Sequence, residues 1–124
     1  MKYLRRLYES FNKSEIHEIC IEYNILDYTI NTDGSIDVYD VVDLFDKNLK
    51  KLPLQFNKVN SVFSCSCNNL TSFERSPKEV NGYFNCHHNR LTSFQYAPRI
   101  IRGDFVCDNN YIKTLNQSIL NLAD

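Results

Sequence analysis

Cysteine and histidine are the residues of this chain whose types could do chemistry. Cys65, Cys67, Cys86, His87, His88 and Cys107 fall in one stretch, and thiolate and imidazole are what four-coordinate zinc takes. Their spacing is not that of a zinc finger or ribbon. Cys67 and His88 are the pair that a surface metal site would use. Without a tight ligand motif they read as surface side chains, and no metal or other cofactor is expected. Asn31, Asp33, Gly34 and Asp40 partly imitate a calcium loop, but Thr29 stands where its first Asp is needed and Asp40 where it wants Glu. His17-Glu18 lacks a second His, since residue 21 is Ile. No Gly-x-Ser-x-Gly occurs, and three glycines hardly make a phosphate loop. No catalytic constellation emerges, so the expectation is a protein that is not an enzyme.

The elements that position these residues are repeats. Asn60 to Val80 (NSVFSCSCNNLTSFERSPKEV) and Asn81 to Ile101 (NGYFNCHHNRLTSFQYAPRII) align without a gap at a period of 21. Asn60/Asn81, Phe63/Phe84, Cys65/Cys86, Asn68/Asn89, Leu70/Leu91, Thr71/Thr92, Ser72/Ser93, Phe73/Phe94 and Pro77/Pro98 are identical. A third copy begins at Arg102, with Phe105, Cys107, Asn110, Ile112 and Leu115 at the same offsets. A degenerate earlier one carries Val42, Leu44, Leu49, Leu52 and Val59. A fixed period of this length is the signature of a solenoid.

The unit apolar-x-Cys-x-x-Asn-x-apolar resembles the core of a leucine-rich repeat, with Phe in its first slot and Cys in its second. The Leu/Phe and Ser/Ala-Pro tail resembles short repeats of phage and bacterial members of that family. It departs in the most N-terminal Leu, whose place Val59, Val80 and Ile101 take one residue early. The resemblance implies an α/β (α+β) solenoid with a short parallel sheet.

The same pattern follows from strand and turn chemistry. Phe63 and Cys65 alternate on one face of a short strand, and Asn68 follows a turn where its buried amide can bond neighbouring backbone. The expected ladders are Phe63–Phe84–Phe105, Cys65–Cys86–Cys107, Asn68–Asn89–Asn110 and Leu70–Leu91–Ile112. Pro77 and Pro98 would open a return leg without sheet partners.

Ahead of the repeats, residues 2 to 12 and 14 to 24 read as two helices, the second capped by Ser14, that cover the open end of the first coil. Tyr28 to Asn31 and Ser35 to Val38 flank Thr32-Asp33-Gly34 as a hairpin. One domain, 1–124, is expected: helical cap 1–26, hairpin 27–40, degenerate repeat 41–59, and repeats 60–80, 81–101 and 102–124. The segment 117–122 is a candidate cover for the last coil, and an edge left open there could pair with a second copy as a homodimer.

Side chains beside the inward Phe and Cys should form the working surface. These are Val62, Ser64, Ser66, Tyr83, Asn85, His87, Asp104, Val106 and Asp108, with Val41, Asp43 and Phe45 from the degenerate coil. Tyr83 is the expected anchor, being aromatic, central and flanked by polar neighbours. Phe45, Val62, Asn85, His87, Asp104, Val106 and Asp108 surround it as candidate partner contacts. Arg75, Lys78, Arg90, Arg99 and Arg102 offer RNA or DNA a second surface, but lack the aromatic interleaving of single-strand binders.

Composition narrows the class further. With 14 Lys+Arg against 15 Asp+Glu the net charge is −1, which disfavours nucleic-acid or membrane binding by bulk charge. No apolar run reaches 18 residues. Met1 to Arg6 lacks the apolar core of a secretory signal, and five cysteines without paired spacing suit a reducing compartment. The expectation is a cytoplasmic protein-binding module. By resemblance it is a phage-encoded inhibitor that occludes a defence protein inside a bacterial host.

Overall fold

A computed structural model of the chain describes residues 11–112. The expected first helix, apart from its last two positions, and the segment 117–122 lie outside them. Among the described residues there is one helix, α1 (Lys13–Glu22). Asn12 caps it, not Ser14: its side chain accepts from the Glu15 N–H at 2.9 Å while Glu15 accepts from the Asn12 N–H at 3.1 Å. Asn12 holds extended backbone and Glu15 stands three residues on, so Asn12 meets the requirements of a capping box and Ser14, already inside the first turn, does not. The helix ends in a Schellman turn. Asn24 is left-handed (φ 58), and the Ile25 N–H reaches back to the Cys20 carbonyl at 2.8 Å. Ile16, Ile19 and Cys20 are buried. Ile19 and Tyr23 share a cleft with Leu49, Leu52 and Pro53, which sets the helix against the first coil.

The hairpin forms where the turn residues place it. Strands β1 (Tyr28–Ile30) and β2 (Ile36–Val38) pair antiparallel, with Gly34 at φ 89 in the turn. Asp33 accepts from the Ser35 N–H and hydroxyl at 2.9 and 2.6 Å. Asp37 accepts from Asn31, Asn57 and the Lys58 N–H. Asp33 and Asp37 in the calcium-like segment are thus engaged within the hairpin and its neighbour, and Asp40 accepts from the Val41 N–H.

From residue 42 onward the chain winds as a solenoid of about three turns. Each turn gives one strand to each of two sheets. The first sheet takes β4 (Phe56–Val59), β6 (Glu79–Val80) and β8 (Ile100–Ile101) onto the hairpin, in the order β1-β2-β4-β6-β8. The second runs β3 (Val42–Asp43), β5 (Phe63–Ser64), β7 (Phe84–Asn85) and β9 (Phe105–Val106), all parallel. Two sheets correct the expectation of one. The return leg regains sheet partners straight after Pro77, where the Lys78 N–H donates to the Asn57 carbonyl at 2.7 Å. Val59, Val80 and Ile101 are the inward residues of β4, β6 and β8 in the first sheet.

The ladders stack in register. Phe63 and Phe84 lie parallel, centroids 5.2 Å apart, and Phe84 meets Phe105 edge-on at 5.7 Å. Burying one such ring contributes roughly 2–3 kcal/mol. Phe105, in the last described coil, remains 40% exposed. Cys65 and Cys86 are buried, Cys107 half-buried, and all five cysteines are free thiols. Asn68 Oδ1 accepts from the Lys47 and Leu49 N–H groups of the previous coil, and its Nδ2 donates to the carbonyls of Leu44, Cys65 and Ser66. Asn89 and Asn110 repeat the pattern one and two coils on, accepting from the Leu70 and Leu91 N–H groups respectively and donating to carbonyls of their own and the preceding coil. These amides satisfy buried backbone that a two-residue strand leaves without partners.

Gly82 and Gly103 mark a coil corner where backbones approach closely. A Cβ on Gly103 would stand 2.6 Å from the Tyr83 nitrogen and 2.7 Å from the Gly82 carbonyl carbon. No helix among the described residues is long and apolar enough to cross a membrane.

Candidate functional site

The second sheet carries nearly all the candidate residues on its outer face, in three rows set by strand register. The first row is Val41, Val62, Tyr83 and Asp104, each one residue ahead of its strand's inward side chain. The second is Asp43, Ser64, Asn85 and Val106. The third is Phe45, Ser66, His87 and Asp108, joined by the hydrogen bonds just beyond the strands.

Exposure along the rows is uneven. Tyr83 is 47% exposed, Val41 45% and Phe45 51%, with Asp43, Asp104 and Asp108 also exposed. Val62, Asn85, Val106 and His87 are half-buried. Ser66 departs from its expected outward position and is 1% exposed. It lies where the chain leaves the strand for the turn, so simple alternation no longer applies. The outcome is an apolar strip of Val41, Val62 and Tyr83, with Phe45 beside it and carboxylates at its margins.

Backbone hydrogen bonds fix this face. The Phe63 N–H donates to the Tyr83 carbonyl at 3.1 Å, and the Phe84 N–H to the Asp104 carbonyl at 2.8 Å. Tyr83 is therefore held from the neighbouring coil, and Gly82, immediately before it, turns the corner with its N–H on the Ser61 carbonyl at 3.0 Å.

At the end of the face the chain turns through left-handed backbone at Asp46, Cys67, His88 and Asn109, with φ 54, 57, 56 and 57. One coil separates each from the next. Cys67 and His88 are brought together as the period requires, and the structure adds His87 from the third row of the outer face. Ligand atoms of Cys67, His87 and His88 all lie within 4.8 Å of one another. The two imidazoles meet edge to face, centroids 4.7 Å apart, with their Nδ1 atoms 2.5 Å apart. The left-handed turn at His88 is the signal that sequence spacing omits, because it folds two consecutive side chains toward one point.

The other cysteines lie in the core. Burial pushes the Cys65 thiol up to about 12 and the Cys20 thiol up to about 11. Burial, then the nearby Cys65, Cys107 and Asp108, raises Cys86 as well. Such thiols stay protonated and inert at neutral pH. The basic side chains are partly engaged. Arg75 donates to the Leu52 carbonyl at 3.1 Å and lies 5.5 Å over the Phe11 ring. Arg102 donates to Asn81 at 2.9 Å and stands 4.0 Å from Glu79. Lys78 and Arg99 border a cavity of about 380 Å³ with Asp33, Ser76 and Tyr96. Arg90 borders a groove with Asn69, Asn109 and Tyr111.

Comparisons with protein-family models, with curated proteins and with solved structures return no match for this chain.

Proposed function

We propose that the chain is a non-enzymatic protein-binding module that engages its partner through the outer face of the four-stranded sheet. The observation that carries this reading is the exposed apolar strip, Tyr83 at 47% and Val41 at 45% with Phe45 at 51% alongside. A water-facing sheet ordinarily carries polar side chains, and aromatic groups ringed by polar ones are typical interface anchors. Backbone ladders already hold the strip in place, so little conformational freedom is lost on contact. The exposed Asp43, Asp104 and Asp108 would favour basic groups at the partner's rim.

The likeness of the repeats to those of phage and bacterial leucine-rich-repeat proteins extends the proposal to origin and mode. A phage-encoded protein of this size and net charge −1 would act in the cytoplasm of a bacterial host by occluding a defence protein.

Affinity capture from bacterial lysate, comparing wild type with Tyr83→Ala, tests the reading. Both proteins are first shown to be folded by circular dichroism. A partner taken up by wild type and lost by the variant is the expected result. Equal capture by both, or capture by neither, would contradict it.

A further inference from the structure

We propose that Cys67, His87 and His88 form a metal site that takes one zinc ion through a thiolate and two imidazoles, leaving its fourth position open. The inference does not depend on what the sheet face binds. Tetrahedral zinc, with Zn–N near 2.0–2.1 Å and Zn–S near 2.3 Å, holds its ligand atoms about 3.3–3.6 Å apart. In this structure all three donors already lie within 4.8 Å of one another. The Nδ1 atoms of His87 and His88, 2.5 Å apart, need only part slightly. As a hydrogen-bonded pair, one of these nitrogens donates and the other accepts. Around a cation both turn a lone pair inward, together with the sulfur of Cys67, whose proton leaves to solvent.

The backbone holds the donors in advance of any ion. The Cys67 N–H is bonded to the His87 carbonyl at 2.9 Å, and the His88 N–H to the Asp108 carbonyl at 3.1 Å. Cys67 and His88 occupy the middle of the left-handed column whose ends are Asp46 and Asn109. Asp and Asn suit that backbone through their own local hydrogen bonds. Cysteine has no such reason to stand there.

The donor set selects the ion. Thiolate and imidazole serve zinc, whereas calcium and magnesium need oxygen ligands, and the cluster contains no carboxylate. Cys67 and His87 are half-buried and His88 is exposed, so the open position faces outward, where water or a partner's side chain can complete the shell.

The test uses the whole chain, reduced, and titrated with zinc by calorimetry and with cobalt by absorption. Wild type should bind one ion per chain and show a thiolate-to-cobalt charge-transfer band. Cys67→Asn and His88→Asn put at each position the residue already present at Asn109, so both variants should fold. His87→Ser does the same with the residue found at position 66. Each should weaken zinc binding by about 100-fold or more, and Cys67→Asn should abolish the cobalt band. Failure of wild type to bind an ion, or undiminished binding in any one variant confirmed as folded, would overturn the site.

Discussion

The backbone N–H of Cys67 donates to the carbonyl of His87 at 2.9 Å, so the bond that stacks one coil on the next also sets a thiol against two imidazoles. Scaffold and candidate site are built from the same rows. The row holding Phe45 and His87 lies beside the row holding Tyr83, and neither needs a loop that orders on binding.

The asparagine ladder should carry much of the stability. Asn89 is buried, accepts from the Leu70 N–H and donates to the Cys65 and Cys86 carbonyls at 3.0 Å each. Asn89→Ala leaves the buried Leu70 N–H without its acceptor, at about 1–3 kcal/mol, while the Cys65 and Cys86 carbonyls keep Asn68 and Asn110 as donors. A loss of about 2 kcal/mol in urea unfolding is expected. Asn110→Ala should cost less, because Asn110 is only half-buried.

Gly103→Ala should destabilise by about 1–3 kcal/mol, through overpacking against the neighbouring backbone. The added Cβ has no room 2.6 Å from the Tyr83 nitrogen, and nothing in that coil corner is a flexible side chain able to move aside. Ser61→Ala, at the same offset two coils earlier, adds no atoms and should be nearly silent. Thermal melts of the two variants decide it.

These two predictions rest on features the sequence states openly. The period of 21 fixed the Phe, Cys and Asn ladders because each position returns to the same environment. The first sheet was hidden, since its β6 and β8 are two residues long and Val80 and Ile101 looked like displaced members of another motif. The helix start lies at Asn12 and not at Ser14, and its signal stands in the sequence: Asn12 and Glu15 are three residues apart, the spacing of a capping box. Ser66 departs from its expected outward position for a local reason. Alternation holds along a strand and fails where left-handed residues at Cys67 and His88 end it.

Alkaline pH should loosen the core. Cys20 and Cys65 have folded-state values raised by burial to about 11 and about 12, above the ordinary 9.0, and Cys86 is raised in the same direction. Groups raised on folding stabilise fully below their unfolded value, and that contribution is lost as pH climbs through the folded one. Tyr23 and Tyr28, raised chiefly by burial, act in the same direction from about 10 upward. The urea midpoint should therefore be level from pH 7 to about 9 and fall beyond it, less steeply in Cys65→Ala. Asp33 works in the opposite range. Its hydrogen bonds from Ser35 hold it below 3.8, so its contribution is present above that value and lost only as acid passes the lowered one.

The most direct test of the binding face is site-specific photo-crosslinking in bacterial lysate. One protein carries the reactive amino acid in place of Tyr83, on the outer face of the four-stranded sheet. Another carries it in place of Lys58, exposed on the other sheet. The account predicts a discrete crosslinked protein from position 83 and none from position 58. Crosslinking from position 58 alone, or from neither, would contradict it.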